Sequence, residues 1–202
     1  GTLLPSAVAL AQQAKIKVGL MLPYTGTFAQ LGVAITNGFK LAVDERGGKL
    51  GGREIEFVTV DDESNPAKAP ENVNKLVQRD KVDVVIGTVH SGVVMGMAKV
   101  LKETGTLWIN PNGGAGAMTG AACAPNFFRT SFSNWQTTHA LGKVLKAKGH
   151  KTAVFITWKY AAGEEMIAFG VIMGPRHDPE RGIGPARLFH DLARLEGFGD
   201  RH

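Results

Sequence analysis

His90 and Ser91 are the residues whose types and spacing come nearest to chemistry, in the run Gly87-Thr88-Val89-His90-Ser91-Gly92. A histidine beside a serine suggests a nucleophile with its base. The spacing is not G-x-S-x-G, however, and sequence neighbours rarely aim their side chains at each other in a triad. The run leaves an apolar strand and enters a helical pattern, which makes Ser91 the expected N-cap. The same helix start would offer free N–H groups and a positive dipole end to a carboxylate. Capping and anion binding are compatible, and the spacing does not choose between them. No convergent acid, base and nucleophile set occurs elsewhere, so no enzymatic activity is expected.

Two further segments carry polar or glycine-rich character. Asn110-Pro111-Asn112-Gly113-Gly114-Ala115-Gly116 follows another apolar run. It matches neither G-x-x-x-x-G-K-[ST] nor a G-x-G-x-x-G that opens a helix, so its glycines serve a turn or a close approach to a ligand. Asp61-Asp62-Glu63 has the charge for a metal, but without His or Cys nearby it reads as a helix-entry turn. The single Cys123 cannot form a disulfide within this sequence or a Cys-based zinc site. Neither a cofactor nor a metal is expected.

These residues are set among alternating elements. Lys15–Leu22 reads as a first strand, ended by Pro23-Tyr24-Thr25-Gly26. A helix follows with Leu31, Ile35, Phe39 and Ala42 on one face. Gly47-Gly48 and Gly51-Gly52 bracket a turn before a half-buried strand through Ile55, Phe57 and Val60. Asn65-Pro66 starts a helix with Ala69, Val73, Leu76 and Val77 inward, and Pro70 predicts an irregular first turn. Val82–Ile86 has the continuous apolar character of a parallel strand covered on both faces. A helix over Gly92–Glu103 points Val94, Met97, Ala98 and Leu101 inward, and 106–110 and 127–130 are short strands. Ser133 with Gln136 forms a capping-box pattern ahead of a helix whose inner stripe is Leu141, Val144 and Leu145. Thr152–Trp158 reads as another buried strand, and Tyr160 opens a last helix.

Alternation of this kind implies an α/β fold with a doubly wound, mostly parallel sheet. Ligands of such sheets bind beyond the carboxyl ends of the strands, which points to the loops at 23–31, 87–92, 110–116 and 158–161.

Composition divides the chain near Met166. Up to there the Lys:Arg ratio is 14:4, whereas residues 167–202 hold 0:5, with three of the six His. Pro175, Pro179 and Pro185 interrupt that stretch, and only Ala186–Leu195 has a helical stripe. Either a reading-frame shift near codon 166 or a linker of different composition would produce this change. At the other end, Ala9-Leu10-Ala11 has the form of a signal-peptidase site, so residues 1–11 are either a signal-peptide remnant or a disordered terminus. The expected division is thus 1–11, a ligand-binding lobe over 12–166, and an atypical tail over 167–202. The net charge of +5 comes from scattered basic residues without interleaved aromatics, which gives no footprint for nucleic acid.

Taken together and in order, VGLMLPYTGTFAQLG (18–32), GGKLGGREIEFVTV (47–60), DDESNPAKAPENVNKLVQRDKVDVVIG (61–87) and WKYAAGEE (158–165) resemble the branched-chain amino-acid-binding family of ABC-transporter solute receptors, the type 1 periplasmic binding proteins. The wording is most similar to a branch that takes aromatic acids such as benzoate or coumarate derivatives. The resemblance implies a periplasmic protein that captures a small amino acid or aromatic carboxylate between two lobes and hands it to membrane permease subunits. A ligand-sensing regulatory domain of the same fold is the alternative. Carried over by position, the ligand carboxylate would meet Ser91 and the backbone of Asn112, Gly113 and Gly114. Leu31 and His90 would line the side-chain pocket, and Tyr160 would lie near its hinge-side opening. Gly114 stands where amino-acid-specific members often carry a hydroxyl, which weakens the case for a plain amino acid. Family members carry a whole second lobe; with that lobe missing here, weak binding is expected.

Overall fold

The computed structural model describes residues 14–150, 155–173 and 188–189. Their order is β1 (Ile16–Leu22), α1 (Ala29–Asp44), β2 (Lys49–Leu50), β3 (Arg53–Asp61), α2 (Ala69–Asn74), β4 (Val84–Ile86), α3 (Ser91–Thr104), β5 (Leu107–Asn110), β6 (Phe127–Arg129), α4 (Asn134–Ala147), β7 (Phe155–Ile156), α5 (Ala161–Met173) and β8 (Leu188–Phe189). Most of the elements read from periodicity are present. The hairpin strand β2 is an addition, formed where Gly47, Gly48, Gly51 and Gly52 all take positive φ. Asn65 Oδ1 accepts from Ala67 N at 3.0 Å and opens a 3-10 turn over Pro66–Lys68 ahead of α2, the irregular entry that Pro70 foretold.

The main sheet has six strands in the order β2-β3-β1-β4-β5-β6. All its pairings are parallel except β2 with β3. Leaving β2 aside, the five parallel strands follow the 2-1-3-4-5 order of a doubly wound fold, with the winding reversing between β1 and β4. Period-two alternation sends Val18, Leu20, Val84 and Ile86 to one face, against Phe39 of α1. Met21, Val85, Trp108 and Phe127 go to the other face, where Val73 and Leu76 of the α2 segment and Val93, Met97 and Leu101 of α3 close over them. Each fully buried aliphatic side chain contributes about 1.5–3 kcal/mol, so this second cluster dominates the core.

Three expectations need correction. On α1 the buried positions are Gly32, Thr36 and Val43, while Leu31 is 43% exposed and Ala42 faces solvent. The helix approaches the chain through a glycine, since a Cβ at Gly32 would lie 1.7 Å from Pro23 O, and this turns Leu31 outward. On α4, Leu141 and Val144 are 47% and 49% exposed instead of inward. That helix packs mainly against α5, and the residues it buries are Asn134 and Gly142. Finally, of the strand expected over Thr152–Trp158, residues 152–154 lie outside the described residues, while Phe155–Ile156 forms β7, which pairs with β8 in a separate two-stranded sheet and leaves Ile156 56% exposed.

Helix α5 runs unbroken across Met166 to Met173. Within the helical stripe expected over Ala186–Leu195, Leu188–Phe189 is extended as β8; its other residues, and the segment 1–11, lie outside the described residues.

Candidate functional site

At the carboxyl edge of β1, β3 and β4, beside the reversal of winding, lies a cavity of 360 Å³. It is lined by Thr27, Phe28, Ser64, His90, Trp158 and Tyr160. The first two come from the loop after β1, Ser64 from the loop after β3, and His90 from the loop after β4. Trp158 and Tyr160 come from the segment between β7 and α5. The aromatic rings form a linked wall. Phe28 lies 6.0 Å from both His90 and Trp158, and His90 lies 4.8 Å from Tyr160, measured between ring centroids.

His90, not Ser91, caps α3. Its backbone is still extended (φ −75, ψ 122), and its Nδ1 accepts from Gly92 N at 3.0 Å and Val93 N at 3.4 Å. The extended strand exit ends one residue earlier than expected, which makes Ser91 the first helical residue. An Nδ1 that accepts leaves the proton of the neutral ring on Nε2, so the imidazole's other nitrogen is a donor. Burial holds the His90 pKa below its ordinary value, keeping the ring neutral at pH 7. Burial likewise raises the Tyr160 phenol, which stays protonated and able to donate. The cavity therefore offers aromatic faces with several neutral donors and no charged side chain among its lining.

The acidic run behaves as a turn. Asp61 Oδ1 accepts from Tyr24 N and Glu63 N at 2.9 Å each, while Asp61 Oδ2 accepts from the Thr25 hydroxyl at 2.7 Å. Although partial burial opposes it, these donors hold the Asp61 carboxyl below its usual range. Asp62 is fully buried; it accepts from Ser64 N at 2.8 Å and from the Thr88 hydroxyl, and burial raises its pKa. The two carboxylates tie the loops after β1, β3 and β4 together beside the cavity. Among the described residues no cluster of potential metal ligands occurs.

The remaining residues expected at the site form a separate polar network. Asn110 closes its own loop, accepting from Asn112 N at 3.2 Å and Gly113 N at 2.8 Å, and donating to Gly113 O at 2.8 Å. Asn134 Nδ2 donates to Ser91 Oγ at 3.2 Å and to Glu165 Oε2 at 2.7 Å. The Glu165 carboxylate also accepts from Gly116 N at 3.0 Å, so a side-chain carboxylate already sits at this edge. A Cβ at Gly114 would come within 2.1 Å of Asn134 Oδ1, which gives that glycine a packing reason. The structure thus brings His90 and Tyr160 into the cavity, places Ser91 and Gly114 on Asn134 of the Asn134–Glu165 network, and leaves Asn112 and Gly113 in the closed Asn110 loop. Leu31 lies outside the cavity lining. Phe28 and Trp158 lie in loops that the strand-end rule named, but Ser64 lies in one that it omitted.

A family model described as periplasmic binding protein matches residues 15–177. The Leu/Ile/Val-binding protein BraC3 of Rhizobium johnstonii is 34% identical over 162 residues, covering 78% of this chain and 43% of that one. Among solved structures, a solute-binding protein of an ABC transporter from R. palustris in complex with benzoate is 49% identical, with a TM-score of 0.80; the match covers 92% of this chain and 51% of the other. The branched-chain amino acid substrate-binding protein LivJ from Streptococcus pneumoniae, in complex with isoleucine, is 26% identical with a TM-score of 0.69 and covers 80% and 47%. The chain spans about half the length of the relatives it matches.

Proposed function

The chain belongs to the periplasmic binding protein family, and from that premise we propose that it forms the ligand-receiving part of an extracytoplasmic ABC-importer receptor for aromatic carboxylates. The observation that carries the ligand class is the aromatic wall of Phe28, His90, Trp158 and Tyr160 around one cavity. A planar ring fits between such faces by offset or edge contact, and each aromatic pair adds about 0.5–1.5 kcal/mol beyond area burial. The lining holds no carboxylate to pair with an α-ammonium group, whereas its neutral groups can donate to an anion's oxygens. Benzoate in the R. palustris relative points the same way.

Delivery to membrane permease subunits is part of this reading. No helix among the described residues is long and apolar enough to cross a membrane; the permease enters this reading from the ABC-transporter solute-binding relatives. Trp158 is 55% exposed, and this flank of the cavity is open. Small-ligand sites bury roughly 70–90% of their ligand, so the 202-residue chain is expected to bind weakly. Ligand-observed NMR with a panel of benzoates, leucine and isoleucine is the test. Saturation transfer to the benzoates alone is expected; transfer to leucine or isoleucine alone would overturn the ligand class.

A further inference from the structure

Ser64 Oγ is the one buried side-chain oxygen without a hydrogen-bond partner among the described residues. Its neighbourhood is not short of partners by accident of a loose loop. Glu63 and Ser64 both take left-handed backbone conformations, with φ of 51 and 55, which non-glycine residues adopt rarely and at a cost. They are held there by Asp61 Oδ1 on Glu63 N, by Asp62 Oδ1 on Ser64 N, and by the bond from Asn65 N to Asp62 O at 2.8 Å. The outer flank is pinned by Lys68 Nζ on Glu63 Oε1 at 2.7 Å. Two carboxylates and an ion pair thus fix a strained turn whose serine lines the aromatic cavity while its hydroxyl oxygen has no hydrogen-bond partner.

A buried hydroxyl left unsatisfied is unfavourable, and such groups in native proteins call for an explanation. We propose that Ser64 is the specificity-determining group of the cavity, pairing with a hydroxyl substituent on the ring of an aromatic acid. In this proposal Oγ turns about χ1 into another staggered well to meet the ligand, where a hydroxyl both donates and accepts. The donors on the other walls are left to the carboxylate. This inference rests on the aromatic-carboxylate reading above and adds to it a preference for hydroxylated over unsubstituted rings.

The test uses the 202-residue chain and its Ser64→Gly and Ser64→Ala variants, titrated with benzoate, 3-hydroxybenzoate and 4-hydroxybenzoate by ligand-observed NMR. Glycine suits the positive φ, so Ser64→Gly deletes the hydroxyl without adding strain. The wild-type chain is expected to favour at least one hydroxybenzoate over benzoate by roughly tenfold, the scale of a buried hydrogen bond. Both variants are expected to lose that preference, binding the hydroxybenzoates no more tightly than benzoate. Wild-type binding of all three acids with equal affinity, or a preference that survives in both variants, would overturn the role of Ser64 and leave the aromatic-acid reading standing. Binding of none of the three would overturn the reading beneath it.

Discussion

At the scale of single residues, His90 shows two roles carried by different atoms. Nδ1 caps α3, and the ring walls the cavity between Phe28 and Tyr160. Substitution separates the two. His90→Ala removes both and is expected to lower stability by about 1 kcal/mol, the usual worth of a cap. His90→Asn keeps a good capping side chain, so its melting temperature is expected near wild type while aromatic-acid binding falls. Acid should act on the cap as well, because a protonated imidazole has no acceptor at Nδ1. The folded-state pKa of His90 is depressed, so below about pH 6.5 the unfolded chain binds a proton that the folded chain resists. Stability from this residue is therefore present above that pH and lost as pH falls below it, and the His90→Asn variant should show a flatter melt-versus-pH profile there. Sequence reasoning placed the cap one residue late because serine outranks histidine as a cap. Where the extended backbone ends is decided by the packing of β4, not by capping preference.

At the scale of elements, apolar periodicity located the strands and helices better than it located their partners. The stripe through Ala69, Val73 and Leu76 is wholly buried, whereas the equally regular stripe through Leu141 and Val144 is half exposed. A pattern states which face is apolar; it does not state whether another element covers it. On the main sheet the same holds for Leu107 and Phe128, which alternate away from Trp108 and Phe127 and are 41% and 54% exposed. Glycines divide likewise. In α1, Gly32 meets Pro23 O, but Gly38 has nothing within 4 Å of an added Cβ. Gly32→Ala is expected to destabilise by about 1–3 kcal/mol through overpacking. Gly38→Ala should instead stabilise by roughly 0.5–1 kcal/mol through helix propensity. Thermal melts of the two variants would check the opposite signs, which the sequence alone does not distinguish.

At the scale of the molecule, the cavity lies where the winding of the sheet reverses, and its walls come from loops far apart in sequence. The alternation of strands and helices was enough to expect a site beyond the strand ends and to name the loops that hold His90 and Tyr160, whereas the two residues themselves were named as ligand-site residues only through the family resemblance. Ser64 was legible from neither, because its loop reads as a helix-entry turn until the unpaired Oγ is seen in three dimensions. Ser91 and Gly114 bond to Asn134 in a polar network in which Glu165 supplies the carboxylate, while Gly113 bonds within the Asn110 loop. In the proposed function an aromatic acid enters the cavity of Phe28, Ser64, His90, Trp158 and Tyr160. An amide-detected NMR titration of the isotope-labelled chain with benzoate, set against the same titration with isoleucine, tests it most directly. Shifts centred on the loops bearing Phe28, Ser64, His90 and the 158–160 segment, seen with benzoate and absent with isoleucine, are the expected result. Shifts that avoid these loops, or that isoleucine reproduces, would contradict it.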